Sequence, residues 1–203
     1  MAVWPCGAQS PHGPDVSRKQ PAGGAGVDPA HAGRFLMARR MKNIALLRIA
    51  FGVVWAVDAS LKWLPSFAQH TMLDKLENAS TGQPTLVHAW IGAWMRFLAV
   101  DPEAFGILVA LAETAIAVGL LSGALTNAVC TTGGALSLVI WSTGEGFGGP
   151  YGAGTTDVGA SLVYVLVFAL LAAIGAGGVW GVDRWLQPRL GALSWLSSRP
   201  ATR

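Results

Sequence analysis

Four ionisable side chains interrupt long apolar runs in this chain: Arg48, Asp58 and Lys62 in the first run, and Glu113 in the second. An ionised group in hydrocarbon is costly, so each marks a site by default. A carboxylate there can carry protons, and a paired acid and base can fix two helices in register. At about 100° per residue, Arg48, Trp55 and Lys62 nearly superimpose, with Asp58 about 60° away. Gly52 and Ala59 share that stripe, and Gly106, Ala110, Glu113 and Ala117 share one face of the second run. Small residues allow close approach, so these two faces are expected to meet. Asp58 and Lys62 stand at i,i+4 and are expected to pair. Arg48 and Glu113 sit about 6 Å and about 12 Å in from the same end, so an extended Arg48 is expected to bridge to Glu113.

A second constellation lies further on. Gly144, Glu145, Gly146, Phe147, Gly148 and Gly149 match G-x-G-x-x-G, followed by Pro150 and Tyr151 and then by Thr155, Thr156 and Asp157. The dinucleotide fingerprint needs a preceding strand and a following helix that receives the pyrophosphate. Here an apolar run precedes it, so the glycines are read as a tight re-entry into the next run. Thr155, Thr156 and Asp157 are expected helix N-caps. Successive glycine amides near a helix N-terminus also make an anion nest, so Gly144, Glu145, Gly146, Gly148, Gly149, Tyr151 and Asp157 are candidate contacts for a small anion. Arg96 and Lys62 are the cations expected on that side.

The elements that must hold these residues are membrane spans. Of 203 residues, 52% are apolar and 12% charged, against about 25% charged in an ordinary soluble domain. Mean hydropathy is +0.46. Four apolar stretches of 18–21 residues are read as transmembrane helices: 44–64, 104–121, 125–143 and 158–176. The short connection Ser122-Gly123-Ala124 makes the second and third an antiparallel hairpin. Basic residues cluster before the first span (Arg34, Arg39, Arg40, Lys42) and after the last (Arg184, Arg189, Arg199, Arg203). The positive-inside rule then puts both termini in the cytoplasm of a multi-pass plasma-membrane protein. That clustering, not nucleic acid, accounts for the net charge of +3. Between the first two spans, Leu86, Trp90, Trp94, Phe97 and Leu98 recur at helical spacing over 85–100, which predicts an amphipathic helix in the outer interface. Trp63 and Trp141, with Trp180 and Trp185 at the other end, fit the aromatic belts of a bilayer.

Residues 1–43 are read as a disordered basic tail: 1–33 hold five prolines and six glycines and no apolar run such as a signal peptide needs. Met37 and Met41 are candidate starting points of translation. Residues 177–203 are read as a basic cytoplasmic tail. The expected fold is therefore all-α, a four-helix integral membrane bundle with one amphipathic outer helix.

No histidine falls in a span, which argues against a bis-histidine haem, and no C-x-x-C or metal-spaced cluster occurs. Cys6 and Cys130 fall in different environments and are read as unpaired and inert. No covalently bound cofactor is expected. An electron acceptor would be a lipid-soluble molecule such as a quinone, whose ring one of the charge pairs could meet, or a partner subunit.

These residues carry a resemblance. Leu47-Arg48-Ile49 with Trp55, Lys62 and Trp63-Leu64-Pro65, then Leu111-Ala112-Glu113-Thr114, then Ile140 to Tyr151 with Thr156-Asp157-Val158-Gly159, resemble the DoxX/DoxD family over about residues 43–176. The family's basic residues between its second and third spans are missing here. The resemblance implies a four-helix membrane bundle. It also implies the membrane subunit of a thiosulfate:quinone oxidoreductase, which oxidises thiosulfate to tetrathionate with a second subunit as partner. In that reading Glu113, Asp58, Lys62 and Arg48 are the catalytic candidates, and the loop with Arg96 meets the substrate. Two further readings stand beside it: a non-catalytic membrane anchor or assembly platform for a redox partner, and a small proton-coupled transporter.

Overall fold

The computed structural model describes residues 29–152 and 157–198. Among these, every regular element is helical. In chain order they are α1 (Pro29–Lys62), α2 (Met72–Ser80), α3 (Thr85–Leu98), α4 (Pro102–Ser122), α5 (Thr126–Thr143), α6 (Ala160–Ile174) and the short α7 (Asp183–Leu186). A π-helical turn, Phe67–Thr71, leads into α2. Short 3-10 turns fill much of the remaining chain.

Two helices are long and apolar enough to cross a membrane: residues 39–62 of α1 and the whole of α4. α5 has 18 residues, but threonine, serine and glycine dilute its apolar content; Thr131 and Thr132 turn their hydroxyls back onto the Asn127 and Ala128 carbonyls. α6 is strongly apolar but only 15 residues long, about 22 Å of rise.

α1 packs along α4, α5 along α6, and α4 meets α5 through the hairpin. The first seam is made as the small residues require. Gly52, Ala59, Gly106, Ala110, Glu113 and Ala117 are all buried. A Cβ on Gly52 would lie 3.1 Å from Leu120 and Leu121, so a larger residue would push α1 off α4. The second seam closes where the Phe168 ring sits against Gly133. Between the seams, Phe51, Trp55, Tyr164 and Phe168 form an edge-to-face cluster with centroids 4.9–6.3 Å apart. Gly123 ends α4 with φ 63° and Gly175 ends α6 with φ 68°, left-handed conformations that favour glycine.

The predicted amphipathic helix is α3. It begins after Pro84, and Asp101 caps the next helix by accepting from the Ala104 N–H at 3.0 Å. Rings of Trp90, Trp94 and Phe97 run along it as a ladder that continues onto Phe105 of α4. Leu86, Trp90 and Phe97 are exposed, and Ile91 is its buried anchor.

Two expectations need correction. Residues 29–43, read as tail, are helical and belong to α1, because nothing after Pro29 breaks the helix. Residues 177–198, read as part of a basic cytoplasmic tail, fold back onto the bundle through a buried acid, Asp183. Helix α2 was not read from the sequence at all. The remainder of the predicted tails (1–28 and 199–203), with Cys6, lies outside the described residues, as do Thr155 and Thr156.

Candidate functional site

The four charges within the long apolar helices separate into two sets. Arg48, wholly buried, does not meet Glu113. Its guanidinium donates to the Ala176, Val179 and Trp180 carbonyls at 2.8, 3.2 and 3.1 Å. These carbonyls follow the C-terminus of α6, where a cation and extra donors are favourable. Gly123 and Gly181 lie against the guanidinium, and a Cβ on either would collide with it. The expected Arg48–Glu113 bridge is thus replaced by a helix-end cap.

Glu113 pairs instead with Lys62, whose Nζ lies 3.2 Å from Oε2. The same ammonium donates to Asp58 Oδ1 at 3.3 Å, as the i,i+4 spacing predicts. Side-chain exposure rises along this line, from 0% at Glu113 through 13% at Lys62 to 43% at Asp58. The contact with Lys62 is an ion pair outside hydrogen-bond geometry, and neither Glu113 oxygen accepts a hydrogen bond. The charge of Lys75 on α2 also acts on Glu113, more weakly than that of Lys62. Lys62 also stands 5.3 Å from the centre of the Phe67 ring, a cation–π contact. One residue on, Trp63 Nε1 donates to Thr114 Oγ1 at 3.1 Å, and Thr114 donates to the Ala110 carbonyl at 2.7 Å. Lys62 at the end of α1 and Trp63 just beyond it therefore grip Glu113-Thr114 of α4 in two adjacent contacts. Other buried polar atoms without a hydrogen-bond partner include Trp55 Nε1, Ser137 Oγ, Thr126 Oγ1 and Arg48 Nε.

The glycine-rich loop is packed tightly by its own chain. Gly144 is the C-cap of α5, and Gly146–Gly148 form one 3-10 turn. Gln83 Nε2 donates to the Gly146 carbonyl at 3.1 Å and pins the loop to the α2–α3 connection. A Cβ on Gly146 would strike that Gln83 amide. Tyr151, exposed, donates from its hydroxyl to the Phe147 carbonyl at 2.6 Å. Trp141 packs edge-on against Phe147 and donates to the Val158 carbonyl at 2.7 Å. Gly149 backs onto Gln83 Oε1, and Gly148 onto the Val158 backbone.

Glu145 is the carboxylate at the N-terminus of α6. It accepts from the Ser161 N–H at 3.2 Å and the Ser161 hydroxyl at 2.7 Å. The helix dipole thus already meets an anion of this chain. Asp157, expected to cap α6, accepts instead from the Gly159 N–H at 2.8 Å, just outside the helix. No hydrogen bond or ion pair among the described residues joins Arg96, exposed on the last turn of α3, to residues 144–151.

Asp183 repeats the device at the other end. Wholly buried, it accepts from the Leu125, Thr126 and Ser198 N–H groups at 2.7, 3.0 and 2.8 Å. It caps α5 from 57 residues downstream. Sequence reading missed it because it sits in a stretch whose net charge is basic. Arg48, Glu145 and Asp183 are therefore committed to helix ends. Lys62, Glu113 and Asp58 are not, and they form the candidate site.

An apolar groove of about 310 Å³ opens between Ala112, Ala115 and Ile116 of α4 and Leu125, Ala128, Val129, Thr132 and Leu136 on the α5 side. Its one polar side chain, Thr132, donates to the Ala128 carbonyl, so the groove suits hydrocarbon and offers no donor to a polar headgroup. Compared with protein families, curated proteins and solved structures, the chain matches none.

Proposed function

We propose that the chain is a four-span membrane protein with both termini cytoplasmic, similar to DoxX/DoxD proteins. In this reading it is the membrane subunit of a quinone-linked oxidoreductase for a small sulfur anion such as thiosulfate. Support for the membrane comes from an inverted distribution of polarity. Leu46, Val53, Val57, Ile107, Leu111, Val118, Leu166 and Leu170 are exposed on the helices, while Arg48, Glu113, Ser137 and Asp183 are buried. A protein in water sorts these residues the other way. α3 then lies in the outer interface.

The observation that carries the chemistry is the line Glu113–Lys62–Asp58, running from a fully buried carboxylate to a half-exposed one. Oxidation of two thiosulfate ions to tetrathionate releases two electrons, and reducing a quinone to quinol takes two electrons and two protons. Glu113 supplies a protonatable oxygen inside the bundle, Lys62 holds its charge, and Asp58 reaches the surface. The apolar groove beside Ala112 and Ile116 suits a quinone's hydrocarbon tail. The test is thiosulfate-dependent reduction of a soluble quinone by membranes containing this chain, beside Glu113→Gln at matched protein level. Activity lost in a folded variant supports the reading.

One observation favours a second reading, a non-catalytic membrane platform for a redox partner. Lys62–Glu113 and Trp63–Thr114 tie α1 to α4, which is also what a register lock does. No thiosulfate-dependent activity in membranes, with a soluble oxidoreductase co-purifying, selects that reading.

A further inference from the structure

The segment after α6 is a folded cap, and we propose that its outer face binds the headgroups of anionic phospholipids. This rests on the membrane reading above. The cap is fixed at several points. The Val182 and Asp183 N–H groups donate to the Ser122 and Gly123 carbonyls at 3.0 and 2.9 Å. Arg48 holds residues 176–180, and the Asp183 carboxylate joins the start of α5 to Ser198. Asn127 Nδ2 donates to the Trp195 and Ser197 carbonyls.

What faces outward is aromatic and basic. Trp180, Trp185 and Trp195 are 53%, 59% and 67% exposed, in a segment whose backbone is otherwise tied down. Arg184 and Arg189 are exposed between them, and the Arg184 guanidinium stands 5.2 Å from the Trp185 ring centre. Arg39, Arg40 and Lys42 on α1 add exposed cations toward the same end of the bundle. Asp183, the one carboxylate among the described residues of the cap, is buried against backbone amides. The exposed face is therefore cationic without compensation. Tryptophan prefers the level where hydrocarbon meets headgroup, and arginine forks two hydrogen bonds to a phosphate. A free phosphate would use the arginines and leave three indoles in water, whereas a lipid surface satisfies both. Clusters of basic residues just cytoplasmic of a span read as anionic-lipid sites.

The test uses the full chain in detergent, with phosphatidylglycerol or phosphatidylcholine added, and bound lipid counted by native mass spectrometry. The wild type should retain phosphatidylglycerol in preference. Each arginine removed should weaken that preference about five-fold, so Arg184→Gln/Arg189→Gln should lose most of it. Arg184→Lys/Arg189→Lys should retain it, and inorganic phosphate should not compete. Both replaced side chains are exposed, so the glutamine variant should match the wild type in helix content and melting without lipid. Equal retention of the two lipids, an unchanged preference in the glutamine variant, or displacement by inorganic phosphate overturns the proposal. Alkaline carbonate washing of membranes separates the two levels. Release of the chain into the wash would sink the membrane reading, while a retained chain without lipid preference sinks the cap alone.

Discussion

Replacing Arg48 by methionine keeps an unbranched apolar stem and removes the guanidinium with its charge and donors. The Ala176 carbonyl then loses its arginine donor in a fully buried place, at about 1–3 kcal/mol. The Val179 and Trp180 carbonyls are partly buried, so water replaces much of what they lose. Asp183 loses the cation that acts on it. Asp183 keeps its three backbone N–H donors, so the overall loss is expected at about 1–3 kcal/mol, set mainly by the Ala176 carbonyl. The assay is reversible denaturant titration in micelles for Arg48→Met, Glu113→Gln and the double variant. Gly52 faces Leu120, so Arg48 stands four residues nearer the C-terminal end of α4 and Glu113 seven residues the other way. Those eleven residues span about 16 Å along the helix axis. Residues beyond about 10 Å add independently to within about 0.5 kcal/mol. Additive losses are expected. A coupling above about 1 kcal/mol would refute the assignment of Arg48 to the end of α6 and restore the direct bridge.

Other outcomes follow from the same contacts. Lys62→Met leaves Glu113 buried without a cation and should destabilise by about 3–5 kcal/mol, while adding Glu113→Gln to it should recover most of the loss in the same titration. Glu145→Ala removes the carboxylate at the start of α6 and should lower stability by about 0.5–2 kcal/mol, with faster proteolysis after Gly144 as the readout. Gly133→Ala drives a Cβ into the Phe168 ring and should lower the melting temperature, equivalent to about 1–3 kcal/mol of overpacking. Gly177→Ala forces the new methyl between Thr126 Oγ1 and Asp183 Oδ2, and it should lower the melting temperature even though the residue lies in a 3-10 turn.

The α1–α4 contact was readable because small residues and charges recur at helical spacing on both helices, and burial of that stripe depends on periodicity alone. The Asp58–Lys62 pair was readable for the same reason, being local. Glu113's partner was not. Depth counted from the span ends favours Arg48, but the register that sets Gly52 against Leu120 carries Arg48 away from Glu113 and brings Lys62 to it, and Arg48 finds its acceptors at residues 176–180, over 60 positions beyond Glu113. α3 announced itself through Pro84, Asp101 and its aromatic spacing. α2, nine residues of mixed polarity beside a π turn, carries too few apolar positions to set a period. The loop glycines were rightly read as turn residues. Their role in admitting Gln83 depends on a contact 63 residues apart that spacing does not encode.

The clamp at the end of the bundle has a consequence in time. Arg48 finds its acceptor 128 residues later in the chain, and the α5 amides find Asp183 57 residues later. At a synthesis rate of about 5–20 residues per second, Arg48 waits on the order of 6–25 s for its partner to be made. During that interval a buried arginine stands in the first helix without its acceptors. The early helices of the nascent protein are therefore provisional, open to chaperones and to degradation, until the ribosome has passed residue 183. A message truncated between residues 144 and 176 would yield α1 through α5 and leave both Arg48 and the start of α5 without their partners, a product the cell should clear rather than accumulate.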